Sequence, residues 1–151
     1  MRSTSQLVAL VALVCILSSS VSAQTAALPT GAQLAALLPA SLPGARQTAQ
    51  NNCGRFATAT YVLAEGGIVA LQFHEVSGAG SEAYLRSVCP RFAPIAGHQA
   101  CVTPRSGATS VSWVLDDTLQ VIMSAPDEAT VMRLAGGVDL EALVRLLPRA
   151  H

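Results

Sequence analysis

Apolar residues change their spacing along this chain, and the changes mark its elements. Over Gly31–Leu38, Leu34, Leu37 and Leu38 recur at helical spacing, with Leu42 beyond them. Thr30 is placed to cap such a helix, and Pro39 and Pro43 stop it. From Arg55 the period falls to two. Ala57, Ala59, Tyr61 and Leu63 alternate with Thr58, Thr60 and Val62, then Glu65-Gly66-Gly67 signals a turn. Val69, Leu71 and Phe73 continue the alternation, with Gln72 and His74 pointing the other way, so the pair of segments predicts a β-hairpin.

Beyond a Ser77-Gly78-Ala79-Gly80 loop, Glu82–Val88 predicts a short helix with Ser81 as its cap. Its Ala83, Tyr84, Ser87 and Val88 would face a sheet at i, i+4 spacing. His98–Thr103 predicts a short strand ended by Pro104. Val111, Trp113 and Leu115 alternate with Ser110 and Ser112 in another strand, and Asp116-Asp117 turns the chain. Leu119, Val121 and Met123 then alternate with Gln120 and Ile122. Pro126, Asp127 and Glu128 suit the start of a helix whose apolar side is Val131, Met132, Leu134 and Ala135. After Gly136-Gly137, Asp139 caps a last helix bearing Leu140, Leu143, Val144 and Leu147, with Arg145 and Arg149 toward its C-terminal end. Hairpins dominate the connections. The expectation is an α+β fold: an antiparallel sheet of about five strands with helices packed on one face. No internal repeat of 20–50 residues is apparent. The polar side of the strands, carrying Gln72, His74, Ser110, Ser112 and Gln120, is the candidate interaction face.

The first residues carry a different signal. MRSTSQ has Arg2 and no acid, Leu7–Leu17 is an unbroken apolar run of 11, and Val21-Ser22-Ala23 ends the segment. That order predicts a secretory signal peptide over residues 1–23, cleaved after Ala23 to leave Gln24 as N-terminus. The run is shorter than the roughly 20 residues that span a bilayer, and no second apolar segment of spanning length follows. Export to the periplasm or the medium is therefore expected. Removing 23 of 151 residues leaves 128, one domain's length, read as an N-terminal segment with a short helix over 24–50 and an α+β domain over 51–151. All nine basic residues are Arg. Eight of them remain after cleavage, against nine acids, a formal charge of −1. Nothing here draws in nucleic acid or an anionic membrane.

Cleavage also changes the cysteine count. Cys15 leaves with the signal, so Cys53, Cys89 and Cys101 enter an oxidising compartment. In CPRFAPIAGHQAC, residues 89–101, His98 lies between two of them. Three ligands fall short of a usual zinc set, and no C-x-x-C redox pair is present. The expected bond is Cys89–Cys101, with Cys53 the odd thiol. Pairing of Cys53 with Cys89 or Cys101 stays open, because sequence does not fix connectivity.

LLPASLPGAR (37–46) and ATATY (57–61), followed later by Val111-Ser112-Trp113 and VDLEALVRL (138–146), resemble a group of small exported bacterial domains of unknown function. The resemblance covers most of the mature chain. It implies the fold, and no activity or catalytic residue. The remaining chemistry is sparse. No G-x-S-x-G elbow, Walker loop, dinucleotide fingerprint, EF-hand or haem motif occurs. His74 and Glu75 are neighbours on a strand and so point to opposite faces. No catalytic, cofactor or metal residue is assigned. The expected function is a noncatalytic exported domain that binds an envelope protein or a small ligand through the open sheet face or the 89–105 loop. A narrower version has the braced 89–101 loop inserted in a target hydrolase as an inhibitor. The alternative is a small exported enzyme, such as a hydrolase, with a site assembled from dispersed residues.

Overall fold

The computed structural model describes residues 27–76 and 79–148. The segment 1–23, its cleavage point, Ser77-Gly78, Arg149 and the terminal His151 lie outside these residues. Among the described residues the chain order is α1 (Gly31–Ala35), β1 (Ser41–Leu42), β2 (Ala45–Cys53), β3 (Phe56–Leu63), β4 (Ile68–Glu75) and α2 (Ser81–Val88). Then come β5 (Phe92–Ile95), β6 (His98–Arg105), β7 (Ala108–Leu115), β8 (Leu119–Ala125), α3 (Glu128–Ala135) and α4 (Leu140–Leu146). The strands form one antiparallel sheet in the order β1-β2-β3-β4-β8-β7-β6-β5.

Eight strands replace the expected five, and the extra three have a common cause. Each lies at or near a margin of the sheet. β2 reads ARQTAQNNC and is exposed along most of its length, so no apolar face imposes a period of two. β5 contains Pro94, which demotes a run to an edge strand. β1 is two residues long. The sheet accordingly begins at Ser41, inside the stretch read as an N-terminal segment. β6 extends past Thr103, and Pro104 fits there because β5 pairs only with His98–Cys101 and leaves the far end of β6 with a free side.

The inner face matches the alternation. Val69, Leu71, Phe73, Val111, Trp113, Leu119 and Val121 are all buried, joined by Ala57, Ala59, Tyr61 and Met123. α1, α3 and α4 cover this face through Leu34, through Val131, Leu134 and Ala135, and through Leu140 and Leu143. The Thr30 cap is a full capping box with Gln33. Asp127 and Asp139 cap α3 and α4 by accepting from Thr130 N–H at 2.8 Å and Ala142 N–H at 2.9 Å.

α2 departs from the expected single helical layer. No residue of α2 is buried, and Tyr84 and Val88 point to solvent at 68% and 54% exposure instead of facing the sheet. Its Tyr84 and Leu85 share a cleft with His74, Val114 and Gln120, which belong to the outer face. α2 therefore lies on the side opposite the other three helices.

The sheet also contains an internal repeat with a period longer than 50 residues. Thr58 pairs with Gln72 as Ser110 pairs with Ser124, 52 positions on (110 − 58, 124 − 72). Thr60 and Ala70 pair as Ser112 and Ile122 do. At the join of the two meanders Leu71 pairs with Met123, its own counterpart, so a local two-fold relation passes through that pair. Tyr61-Val62-Leu63 thereby corresponds to Trp113-Val114-Leu115. Few other positions are identical, which is why the repeat is hidden in the sequence.

Candidate functional site

The outer face is ordered in rows by the strand register. One row runs Thr58, Gln72, Ile122, Ser112, Cys101 across β3, β4, β8, β7 and β6. The next runs Thr60, Ala70, Ser124, Ser110, Thr103. A third runs Phe56, His74, Gln120, Val114. The five residues singled out by alternation, Gln72, His74, Ser110, Ser112 and Gln120, thus share one face, but not one environment. His74 and Gln120 are direct cross-strand partners. Ser110 Oγ is 2.7 Å from Ser124 Oγ. Ser112 is nearly covered at 9% exposure, between Ile122 and the bonded Cys101. Gln72 belongs to a half-buried patch of hydroxyls and small apolar groups on which Thr58 Oγ1 donates to the Leu71 carbonyl at 3.1 Å.

His74 and Gln120 gain a second boundary from α2. Gly80 adopts φ 98°, a left-handed conformation that a β-carbon disfavours, and this turns the chain back over the sheet. The resulting cleft has a volume of about 570 Å³. Its floor is His74, Val114 and Gln120, and its wall is Gly80, Tyr84 and Leu85.

Two tethers hold that wall. At the N-terminal end, Glu82 N–H donates to Asp117 Oδ1 at 2.7 Å. This bond, with a second from Gly80 N–H, keeps the Asp117 carboxyl below the ordinary carboxylate range. Asp117 itself sits at φ 53° in the β7–β8 turn, which aims its side chain across to α2. At the C-terminal end, Cys89 is bonded to Cys101, with Cα atoms 5.7 Å apart. The Cys89–Cys101 pairing leaves Cys53 as an exposed free thiol at the end of β2.

His98 and Cys101, close together in the 89–101 segment, lie on opposite faces of the sheet. Cys101 faces outward with Ser112, while His98 pairs with buried Ile95 and faces inward, where its Nε2 lies 3.3 Å from Glu141 Oε1 of α4. Among the described residues no three His, Cys, Asp or Glu side chains gather as a metal set. No described helix is long and apolar enough to cross a membrane.

A smaller cleft of about 380 Å³ lies around the end of β7, lined by Glu82, Arg86, His98, Trp113 and Asp116 among others. Trp113 is 1% exposed, and among the described residues its Nε1–H has no partner. Its counterpart Tyr61 is satisfied: Oη donates to the Pro39 carbonyl at 2.7 Å, and burial pushes the phenol up to about 12.

Sequence reasoning found His74 and Gln120 through alternation. It missed Tyr84, Leu85 and Val114 as cleft residues, because it set α2 on the inner side. It also read Asp117 only as a turn residue. No local signal shows that a turn carboxylate caps a helix 35 residues earlier in the chain. No protein-family profile, characterised protein or solved structure matches the chain, so the likeness of LLPASLPGAR and ATATY to small exported domains rests on those residues alone.

Proposed function

We propose that this is an exported domain that binds a small ligand or an envelope partner without chemical turnover, using the outer sheet face. The cleft between that face and α2 carries the reading. It combines a half-buried imidazole and amide, His74 and Gln120, with the apolar bodies of Val114, Leu85 and Tyr84. A concave site with few polar groups on a mainly apolar lining suits reversible recognition. The acid next to His74 does not serve as its orienting partner: Glu75 directs both carboxylate oxygens to Arg55, at 3.1 and 3.0 Å. That arrangement supports recognition over acid–base catalysis. The bond between Cys89 and Cys101 is compatible with export.

The test is a titration of the 15N-labelled protein with the small-molecule fraction of the host's envelope, followed by amide and side-chain shifts. Shifts centred on His74, Val114 and Gln120, abolished by Gln120→Ala, support the reading. Turnover of ester, peptide or glycoside substrates that disappears in His74→Ala would replace it with the enzyme alternative.

A further inference from the structure

The two margins of the sheet are built differently. β5 is four residues long and contains Pro94, which has no N–H to offer a neighbouring strand. At the other margin β1 covers only Ala45 and Arg46 of β2. A bulge between Gln47 and Ala49 interrupts β2, and Ala49–Cys53 then pairs regularly with β3. These five residues are exposed, and none is charged or a proline. Among the described residues, no backbone hydrogen bond outside the strand ladders reaches them. One side of this run is therefore an open ladder of N–H and C=O groups, without the charges or prolines that usually blunt such an edge. Gln50 is held in place, its Nε2 donating to the Ala35 carbonyl at 3.2 Å.

We propose that Ala49–Cys53 pairs antiparallel with the same run of a second copy of this chain, about a two-fold axis at Asn51. The occupant follows from self-complementarity. In this register Asn51 meets Asn51 of the second copy, Gln50 meets its Asn52, and Ala49 meets its Cys53. The Asn51 amides both donate and accept, so the pair at the axis can satisfy itself, while Gln50 keeps its bonds to Ala35 and Gln47 within its own chain. A charge at the axis would face its own sign, and none is there. The whole chain is close to neutral, with nine basic and nine acidic residues, so long-range repulsion between copies is small. The pairing joins two sheets edge to edge and sets both His74 clefts on the same side, ready for a bivalent partner.

The experiment uses the full-length chain, expressed with its own N-terminal segment and carrying Cys53→Ser to remove thiol crosslinks. Sedimentation velocity across micromolar concentrations is expected to show a monomer–dimer equilibrium. Asn51→Lys places like charges in contact at the axis and should weaken dimerisation about tenfold or more, with the circular dichroism spectrum unchanged. A second variant tests the register. Ala49→Cys with native Cys53 should yield dimers linked by 49–53 bonds between copies, each formed as one oxidised glutathione is reduced to two glutathione thiols. Two native Cys53 residues lie about 14 Å apart in this register and should not link. A monomer at every concentration, a dimer indifferent to Asn51→Lys, or Cys53–Cys53 linkage in place of 49–53 linkage would overturn the proposal.

Discussion

Replacing Cys89 by Ser should free α2 while leaving the sheet intact. The bond to Cys101 closes a loop with a sequence separation of 12, worth about 3 kcal/mol if it acts only on the unfolded chain. For a domain of this size that would lower the melting temperature by roughly 10 °C. The structure argues for a smaller global loss, because the bond acts on the native state as well. α2 has eight residues and none is buried, so packing contributes little to holding it. An isolated helix shorter than about 12–15 residues is marginal in water even with good formers. Without the bond the Asp117 cap and the contacts with β7 remain, and the segment gains freedom in the folded protein that offsets part of the loop term. Cys89 is the residue to change, because Cys101 is buried and a hydroxyl there would be poorly solvated. Hydrogen exchange with mass readout separates the two effects. Amides bonded within α2, such as Tyr84 N–H to Gly80 at 2.8 Å and Cys89 N–H to Leu85 at 3.0 Å, should lose protection. Amides of β3, β4, β7 and β8 should keep theirs. Full retention of protection in α2 would show that packing, and not the tether, holds it. Exposure of the whole sheet would show that the bond supports the global fold.

Two further outcomes follow from single contacts. Asp117 has an ordinary value of 3.8 and is held lower in the folded state by the Glu82 and Gly80 N–H groups. Its contribution to anchoring α2 is therefore complete above that ordinary value and is lost only as pH falls through the lower folded one. A carboxyl 13C titration should place the Asp117 midpoint below its ordinary value, and a midpoint at or above that value would refute the cap. Gly31→Ala should destabilise by about 1–3 kcal/mol in denaturant unfolding, since a β-carbon there would stand 2.7 Å from the Phe56 carbonyl oxygen, a backbone atom that cannot swing aside. An unchanged midpoint would mean that α1 shifts freely on the sheet.

What could be read from the sequence was whatever burial imposes. β3, β4, β7 and β8 each have one face against helices, so Leu71, Phe73, Val111 and Trp113 had to alternate with polar neighbours. The helix caps at Thr30 and Asp139 were equally legible, because a cap is a local device, whereas Asp127, read as an acid at the helix start, turns out to be the cap itself. β2 was not legible: most of its residues stay exposed, which leaves Gln, Asn and Thr without a periodic constraint. The candidate site was half legible for the same reason. His74 and Gln120 announced themselves as polar positions on apolar strands, whereas the wall above them depends on which side α2 takes, and that is decided by tertiary contacts.

The two-fold relation of the meanders shows why α2 takes that side. Carried forward by 52 positions, α1 falls on 83–87, within α2. At the counterpart of Leu34, which is fully buried on the inner face, α2 carries Arg86. A guanidinium has no place in that core without a partner. At the counterpart of Gly31, whose bare α-carbon permits contact with the β2–β3 hairpin, α2 carries Ala83. The added β-carbon would meet backbone at the matching β6–β7 hairpin if α2 sat as α1 does. Both substitutions exclude the inner position, and the inner face of the second meander is covered instead by α3, which packs on β7 and β8. α2 is displaced to the outer face, where Arg86 finds solvent and Glu82 at 2.6 Å, and where the Asp117 cap and the Cys89–Cys101 bond hold what packing does not. The cleft over His74 and Gln120, at the join of the two meanders, is walled by the helix that this displacement puts on the outer face. Restoring the apolar pattern of α1 in α2 would therefore be expected to remove the cleft rather than to improve it.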